Sequence, residues 1–321
     1  MTTRSFIAPV EADLRRMDER IRQSGEDDFP WLGTVLGHIL NTSGKRLRPI
    51  ITLLTGHIYE YNEDLHVPMA AGVELLHIAS LVHDDTVDKA SLRRGRVTIN
   101  AQWGDHVAVL LGDFLFAKSA EMVTSTGNMR VTQLFAHTLR QLSSGELREM
   151  YASFNWDLGQ QFYWERISRK TASLFTTAAQ SGAILGGAPE AHIAAMKDFG
   201  QYLGLAFQVV DDILDFEGLE QEVGKPVGND LAQGVLTLPA IIYLERYADG
   251  LKGKLDGAFW KDREKVASLI EAVRSSPAIQ DSYKAADDYC ERARAAISPI
   301  SDSLHRRALL DIVDYAAART K

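Results

Sequence analysis

An all-α fold is what the sequence predicts, and three observations support this prediction. The chain has nine prolines, yet none lies between Met69 and Ala188. Because proline inside a helix costs about 3 kcal/mol, this proline-free stretch can form long helices. Apolar residues recur at helical intervals, as at Leu75, Ile78 and Val82. Strand-like alternation is scarce, and no G-x-G-x-x-G motif follows a strand.

Clusters of glycine, proline and polar residues predict where the helices end. They lie at residues 25–30, 61–64, 125–128, 186–189, 218–228 and 248–254. No low-complexity linker divides the chain, and no repeat of solenoid type is present. We therefore expect one helical domain over residues 1–321.

The composition excludes several classes of protein. The chain has 321 residues, 45% of them hydrophobic, and a formal net charge of −8, so no global basic field would attract a nucleic acid. Its single cysteine, Cys290, excludes a disulfide framework and a cysteine-based zinc site. No signal peptide is recognisable, and the longest apolar stretches are far shorter than the ~20 residues that span a bilayer. We expect a soluble, cytoplasmic protein without a transmembrane segment.

Two acidic clusters share one spacing. The sequence DDTVD contains Asp84, Asp85 and Asp88, and DDILD contains Asp211, Asp212 and Asp215. Each cluster ends an apolar helical stretch, and residues four apart share one face of a helix. Like charges one turn apart repel each other. Two such stacks therefore indicate a cation near the carboxylates.

Carboxylates without cysteine or regular histidine partners favour a hard cation such as Mg²⁺, which is commonly held by a few carboxylates and by phosphate oxygens of a substrate. A single D-D-x-x-D is as easily a solvated acidic helix end. Two copies with equal spacing favour metal binding over two solvated helix ends. An EF-hand is excluded, because the residues after DDILD do not follow the EF-hand loop pattern.

Clustered basic residues in this acidic chain suggest a polyphosphate substrate. Arginine forms forked hydrogen bonds to phosphate, and lysine supplies a compact charge. His77, seven residues before Asp84, could bind phosphate or could equally be a buried core histidine. For Arg46 and Arg96 an ordinary surface charge is the better interpretation. The other candidates are Lys45, Arg48, Arg93, Arg94, Lys170 and Lys225.

The chain resembles the trans-isoprenyl diphosphate synthases, the polyprenyl synthetase family. The matching segments occur in the order GKRLRP, ELLHIASLVHDDTVD, RRG, LLGDFLFA, KTASLF, GLAFQVVDDILD, GKPVGNDL and TLP. Each segment is modest alone, but the ordered set is specific. The resemblance implies a bundle of mostly antiparallel helices around a deep central cavity, and a homodimer.

The resemblance also implies a set of site residues. The metal ligands for several Mg²⁺ ions would be Asp84, Asp85, Asp88, Asp211, Asp212 and Asp215, with Asp84, Asp88 and Asp211 the most direct. The isopentenyl diphosphate pocket would comprise Gly44, Lys45, Arg48, His77 and Arg94. The allylic diphosphate would contact Arg93, Lys170, Thr171, Gln208 and Lys225. Arg93, Lys170, Lys225 and the aspartates other than Asp215 would carry the catalysis.

The implied reaction is head-to-tail condensation of isopentenyl diphosphate with an allylic diphosphate. The small residues Ala79 and Ser80, one turn before Asp84, predict a medium or long all-trans product, longer than farnesyl diphosphate. The floor of the cavity could instead come from Phe114, Phe116 or Phe135.

Other functions remain open at this stage. They are a geranylgeranyl diphosphate synthase, a class I terpene cyclase, an HD-type phosphohydrolase suggested by His83 and Asp84, and a non-enzymatic regulatory subunit. DDILD and GKRLRP together favour prenyl transfer.

Overall fold

The structure is a computed structural model that describes residues 4–26, 30–42, 44–217, 227–248, 250–251 and 255–318. The structure is 79% helical with almost no strands, which confirms the all-α prediction. The helices are α1 Arg4–Ile7, α2 Glu11–Glu26, α3 Pro30–Thr42, α4 Leu47–Ile58, α5 Glu63–Val87, α6 Ile99–Trp103, α7 Asp105–Thr124, α8 Met129–Ala152, α9 Gly159–Ile167, α10 Ser173–Leu185, α11 Glu190–Glu217, α12 Asn229–Ala232, α13 Leu238–Arg246, α14 Arg263–Arg274, α15 Ala278–Ala296 and α16 Leu304–Ala318. A 3₁₀ segment, Ala8–Val10, precedes α2, and a π-helical segment, Ser168–Ala172, joins α9 to α10.

Contacts between residues divide the chain into two compact units. Unit 1 comprises Met1–His137, Leu174–Gly200 and Ala296–Ile312. Unit 2 comprises Thr138–Ser173, Gln201–Ala295 and Val313–Lys321. A single domain over the whole chain and a deep central cavity both stay predictions.

The core of unit 1 is organised around α5, which packs most extensively against α7 and also contacts α4 and α2. Gly72 lets α5 and α7 approach closely, because a Cβ there would lie 2.7 Å from Val123 Cγ2 and 3.0 Å from the Ser119 carbonyl oxygen. Helix α5 is long and apolar enough to cross a membrane by length and composition alone. The sequence did not indicate this, because its uninterrupted apolar stretches are short. However, 78% of its apolar window is buried within the protein, which is typical of a core helix.

The core of unit 2 is built on the second half of α11. Its buried residues Val209, Ile213 and Phe216 belong to one apolar cluster with Ile167 of α9 and Ile241 of α13. Burial of such side chains contributes about 1.5–3 kcal/mol each. The core therefore fixes which face of α11 is turned inward, and with it the direction of the aspartates on the same helix.

Most of the predicted breaks coincide with helix ends. The breaks at 125–128 and 186–189 lie between α7 and α8 and between α10 and α11, and the break at 61–64 includes the start of α5 at Glu63. The other three coincide partly with residues outside the described ranges. One element was not predicted, an antiparallel hairpin of β1 Leu92–Arg93 and β2 Arg96–Val97. Its turn residues, Arg94 and Gly95, have φ angles of 53° and 74°, as a two-residue turn of the hairpin type requires.

Candidate active site

The first acidic cluster lies at the C-terminal end of α5. Asp84 is half-buried, Asp85 is buried and Asp88 is exposed just after the last helical turn, where its N–H donates to the Asp84 carbonyl oxygen at 2.8 Å. Arg93 Nε donates to both oxygens of Asp85, at 2.8 and 2.9 Å, and Arg93 Nη2 lies 2.8 Å from Asp85 Oδ1. The unpredicted hairpin thus places a guanidinium on the middle aspartate.

Arg48 and His77 are paired beside this cluster. Arg48 Nη1 lies 3.1 Å from His77 Nε2, and because arginine can only donate, Nε2 is the acceptor. Burial, followed by the charges of Arg48, Arg94 and Arg93, holds the pKa of His77 well below its ordinary range. His77 is therefore neutral at physiological pH. The Arg48 guanidinium also stacks on the Phe175 ring, 4.4 Å from its centroid, which fixes its orientation.

Gly44 and Arg94 approach each other closely in the same unit. A Cβ on Gly44 would lie 2.0 Å from Arg94 Nη1, so only glycine leaves room for the guanidinium. Arg94 and Arg46 both have left-handed backbones, with φ angles of 53° and 52°. Such conformations cost about 1–3 kcal/mol in non-glycine residues and occur often at functional sites. Unit 1 thus contains two close pairs from the predicted isopentenyl diphosphate pocket, while Lys45 is exposed beside Gly44.

Glu74 is a buried residue that the sequence analysis missed. It lies on α5 one turn before His77, is 2% exposed, and its Oε2 has no hydrogen-bond partner. Burial raises its pKa, although the charges of Arg46, Arg48 and Arg94 oppose the shift. A glutamate inside an apolar run, where water is excluded, was the signal that could have identified it.

The second acidic cluster lies near the end of α11. Asp211 and Asp215 are half-buried, and Asp212 is only 2% exposed. Asp212 Oδ2 accepts a hydrogen bond from the Tyr163 hydroxyl at 2.6 Å, and its Oδ1 accepts from Gln208 Nε2 at 2.8 Å. Burial raises the pKa of Asp212 to about 7, against the opposing effect of these two donors. The middle aspartate is again held by protein side chains, but by neutral ones.

The π-helical segment Ser168–Ala172 carries two of the predicted allylic contacts, Lys170 and Thr171. Thr171 Oγ1 lies 2.5 Å from Gln208 Oε1, so the hydroxyl donates to the amide oxygen. Lys170 Nζ lies 2.8 Å from Glu146 Oε2 and 2.5 Å from Glu149 Oε1. π-helical turns within helices occur frequently at functional sites. This one lies where α8 passes closely, because a Cβ on Gly145 would be 2.7 Å from the Lys170 backbone nitrogen.

Three more residues near Lys170 were not predicted from the sequence. They are the carboxylates Glu146 and Glu149 and the buried Arg166. Burial alone would raise the pKa of Glu149, but the charges of Lys170 and Arg166 lower it below its usual range. Arg166 Nε lies 3.6 Å from Glu149 Oε2, and its Nη2 donates to the Leu236 carbonyl oxygen at 2.9 Å. The spacing of Glu146 and Glu149, one turn apart on α8, was the available signal.

Comparison with known proteins identifies the family. The family model described as polyprenyl synthetase matches residues 29–275. The chain belongs to the polyprenyl synthetase family. It is 35% identical over 99% of both chains to heptaprenyl diphosphate synthase component 2 of Geobacillus stearothermophilus, and 36% identical over 99% of both chains to a prenyl transferase of Synechocystis sp.. The crystal structure of a decaprenyl diphosphate synthase from Rhodobacter capsulatus matches with a TM-score of 0.91 at 34% identity, over 100% of both chains. The protein is therefore a prenyltransferase.

Within this polyprenyl synthetase, the donors of both acidic clusters suit a hard cation. The outer positions Asp84, Asp88, Asp211 and Asp215 offer carboxylate oxygens at least partly accessible to solvent, as Mg²⁺ requires when a substrate supplies its remaining ligands. Among the described residues, no three His, Cys, Asp or Glu side chains form a group that could hold a metal ion by themselves. Lys225, the remaining predicted contact, lies outside the described residues.

The residues predicted to control product length lie within α5. Ala79 is fully buried, and half-buried Ser80 donates its hydroxyl to the His77 carbonyl oxygen at 2.8 Å. Among the three phenylalanines named as alternatives, Phe116 meets the His83 ring edge-on, with centroids 5.2 Å apart, and Phe135 is buried. Phe116 thus packs beside His83, on the α7 side of α5. These geometries leave the assignment of the product-length residues a prediction.

Proposed function

We propose that this chain condenses isopentenyl diphosphate head-to-tail onto an allylic diphosphate to form a medium or long all-trans polyprenyl diphosphate. The allylic C–O bond breaks and pyrophosphate departs, the isopentenyl double bond forms the new C–C bond, and the proton whose loss restores a double bond passes to the departing pyrophosphate. The observation that carries the proposal is the grouping of Gly44, Arg48, His77 and Arg94 in one unit.

These residues suit a diphosphate because they combine two guanidinium groups with a neutral imidazole. Arg48 is oriented by His77 and Phe175, and Arg94 occupies space that a side chain at position 44 would fill. Forked donors that are held in place lose little entropy when they bind phosphate oxygens. Lys45, exposed next to Gly44, would add charge at the entrance.

The allylic diphosphate would be bound by Lys170, Thr171, Gln208, Arg93 and Lys225. Magnesium ions held by Asp84, Asp88, Asp211 and Asp215 would neutralise charge on the departing diphosphate. Asp85 and Asp212, already bonded to Arg93 and to Tyr163 with Gln208, would fix the geometry of each cluster. Glu146 and Glu149 would hold Lys170 until a diphosphate competes for it.

The proposed product length rests on Ala79 and on the similarity to a heptaprenyl and a decaprenyl diphosphate synthase. We propose that the Ala79 methyl group borders the space for the growing chain, which a bulky aromatic side chain would shorten. We expect Ala79→Phe to shorten the products, with Val82→Phe, also buried on α5, as the control for general overpacking. An unchanged product distribution in Ala79→Phe would contradict this role.

The test of the activity is incubation of the purified protein with labelled isopentenyl diphosphate, Mg²⁺ and geranyl, farnesyl or geranylgeranyl diphosphate. Elongated diphosphates beyond geranylgeranyl support the proposal, and products that stop at geranylgeranyl would identify a short-chain synthase. Cyclic hydrocarbons or released phosphate without elongation would contradict the proposal.

A homodimer is proposed as the assembled state. Leu110 and Val109 of α7 are 69% and 44% exposed, and exposed apolar side chains on one helix are common at subunit interfaces. Sedimentation of the protein and of Leu110→Glu tests this. A wild-type protein that sediments as a monomer would contradict it.

A further inference from the structure

Tyr163 is a fully buried tyrosine that no predicted contact uses. Its side chain is 1% exposed, and its hydroxyl donates to Asp212 Oδ2 at 2.6 Å. Burial, and then the neighbouring Asp212, raises the pKa of Tyr163 well above its usual value, so the phenol keeps its proton and remains a donor. Since Gln208 donates to the other oxygen of Asp212, both carboxylate oxygens are bonded within the protein.

The hydrogen bond belongs to a larger set between two helical stretches of unit 2. Helix α9 runs directly into the π-helical segment, so Tyr163, Ser168 and Thr171 lie on one continuous stretch. Opposite them on α11, Asp212 accepts from Tyr163, Gln201 Nε2 donates to Ser168 Oγ at 2.8 Å, and Gln208 accepts from Thr171. Three side-chain bonds thus connect the segment that carries Lys170 to the helix that carries the second acidic cluster.

The direction of each bond makes Tyr163 the terminal donor of the set. The Thr171 hydroxyl donates to the amide oxygen of Gln208, which leaves the amide NH₂ directed at Asp212 Oδ1. On α9, the Tyr163 hydroxyl is the group that donates a hydrogen bond to Asp212 Oδ2. Without it, a buried carboxylate would lose half of its hydrogen bonding and could turn away from Gln208.

We propose that Tyr163 is a positioning residue, which holds Asp212 and thereby sets Asp211 and Asp215 relative to Lys170 and Thr171. This inference rests on the proposed function. The proposed function assigns Lys170 and Thr171 to the allylic diphosphate, and Asp211 and Asp215 to its Mg²⁺. The residues proposed to bind isopentenyl diphosphate belong to unit 1, whereas Tyr163 and Asp212 bond within unit 2. We therefore expect removal of the Tyr163 hydroxyl to change the handling of the allylic diphosphate alone.

The chain offers a matched control. Tyr247 donates to Asp281 Oδ2 at 2.9 Å, also in unit 2, but its side chain is exposed and no proposed contact is near it in the sequence. Tyr163→Phe and Tyr247→Phe therefore remove the same atom from the same kind of hydrogen bond. Only the first should change the handling of diphosphate.

The experiment measures KM for each substrate, the Mg²⁺ concentration for half-maximal rate, the melting temperature, and calorimetric binding of inorganic pyrophosphate with Mg²⁺. In Tyr163→Phe we expect about a tenfold rise in the allylic KM, in the Mg²⁺ requirement and in the pyrophosphate Kd, the size expected for loss of one hydrogen bond to a charged group. The KM for isopentenyl diphosphate should stay within about twofold, and Tyr247→Phe should match the wild type. An unchanged allylic KM, or equal rises in both KM values, would overturn the inference.

A double-mutant cycle with Asp212→Asn separates positioning from packing. If Tyr163 acts through Asp212, Tyr163→Phe should add little in the Asp212→Asn background, whereas an undiminished effect there would refute the inference. Should Tyr163→Phe fail to fold, Asp212→Asn alone must weaken pyrophosphate binding about tenfold, and normal binding would refute it. The calorimetric result stands even if the wild type elongates no substrate, so failure of the proposed function is recognised separately.

Discussion

The two acidic clusters have the same sequence spacing but different surroundings. In the first, on α5, the middle aspartate Asp85 is paired with a cation, Arg93, whose side chain is 35% exposed. In the second, on α11, the middle aspartate Asp212 is fully enclosed and bonded to neutral groups of Tyr163 and Gln208. The difference teaches that a D-D-x-x-D motif specifies where carboxylates stand, while the neighbouring residues decide whether the middle carboxylate pairs with a cation or with neutral donors.

The largest effect should come from the outer aspartates, where the two clusters are expected to behave alike. Asp84→Asn and Asp211→Asn each remove a proposed Mg²⁺ ligand, and we expect kcat/KM to fall about 100-fold to 1000-fold, as for loss of a major electrostatic contact in catalysis. Steady-state assays at saturating Mg²⁺ measure this.

Asp113→Asn is the matched control, because Asp113 is an exposed carboxylate on α7, 3.7 Å from His83 Nε2, without a proposed role in metal binding. It should keep nearly full activity. An Asp211→Asn variant as active as this control would show that Asp211 does not bind the metal. It would contradict the expectation that both clusters bind Mg²⁺.

The next largest effect is the cost of adding a methyl group at a glycine, which should differ between Gly145 in unit 2 and Gly44 in unit 1. A Cβ at Gly145 would press on the Lys170 backbone, 2.7 Å from its nitrogen and 2.9 Å from its Cα, whereas the atoms nearest to a Cβ at Gly44 belong to the guanidinium at the far end of the Arg94 side chain. We expect Gly145→Ala to lower the free energy of unfolding by about 1–3 kcal/mol, as overpacking does. Gly44→Ala should instead raise the KM for isopentenyl diphosphate, with a smaller loss of stability.

Urea denaturation and steady-state kinetics on both glycine variants measure this contrast. Gly37→Ala is the control, since a Cβ there meets no atom within 4 Å. Equal losses of stability in Gly44→Ala and Gly145→Ala would show that Arg94 cannot yield, and that the close approach in unit 1 is as rigid as that in unit 2.

The sequence predicted the helices well because proline placement and apolar periodicity are local signals. The sequence also pointed to both acidic clusters, and the family resemblance named Arg48 and His77 for one pocket, although neither predicted the hydrogen bond between them. The hairpin escaped prediction because its strands have two residues each, too few for an alternation. Tyr163, Arg166 and Glu149 escaped because their roles depend on side chains distant in sequence, and nothing in a buried tyrosine within GQQFYWERI reveals an aspartate 49 positions later.

A smaller effect should distinguish the middle aspartates at pH 8. Asp85→Asn removes an ion pair from a largely buried carboxylate, and because Arg93 is partly exposed to solvent we expect a loss of only about 1 kcal/mol in unfolding free energy. Asp212→Asn replaces a desolvated carboxylate by a neutral group of the same size, so stability should be retained or increased. Urea midpoints at one protein concentration measure both, and an equal loss in the two variants would contradict the distinction.

An effect of similar size is a change in the pH dependence of stability, which arises from Asp212. Its pKa of about 7 in the folded protein lies above the 3.8 of an ordinary aspartate, chiefly because of burial. Between these values the folded state holds a proton that the unfolded state has released, so the free energy of unfolding must fall as the pH rises towards 7 and level off above it. From pH 6 to pH 8 this contribution amounts to about 1 kcal/mol.

Asp212→Asn should lack this pH-dependent contribution to stability, while Asp85→Asn should retain it. Urea midpoints of the metal-free protein at several pH values test this, and parallel curves for the wild type and Asp212→Asn would contradict a raised pKa for Asp212.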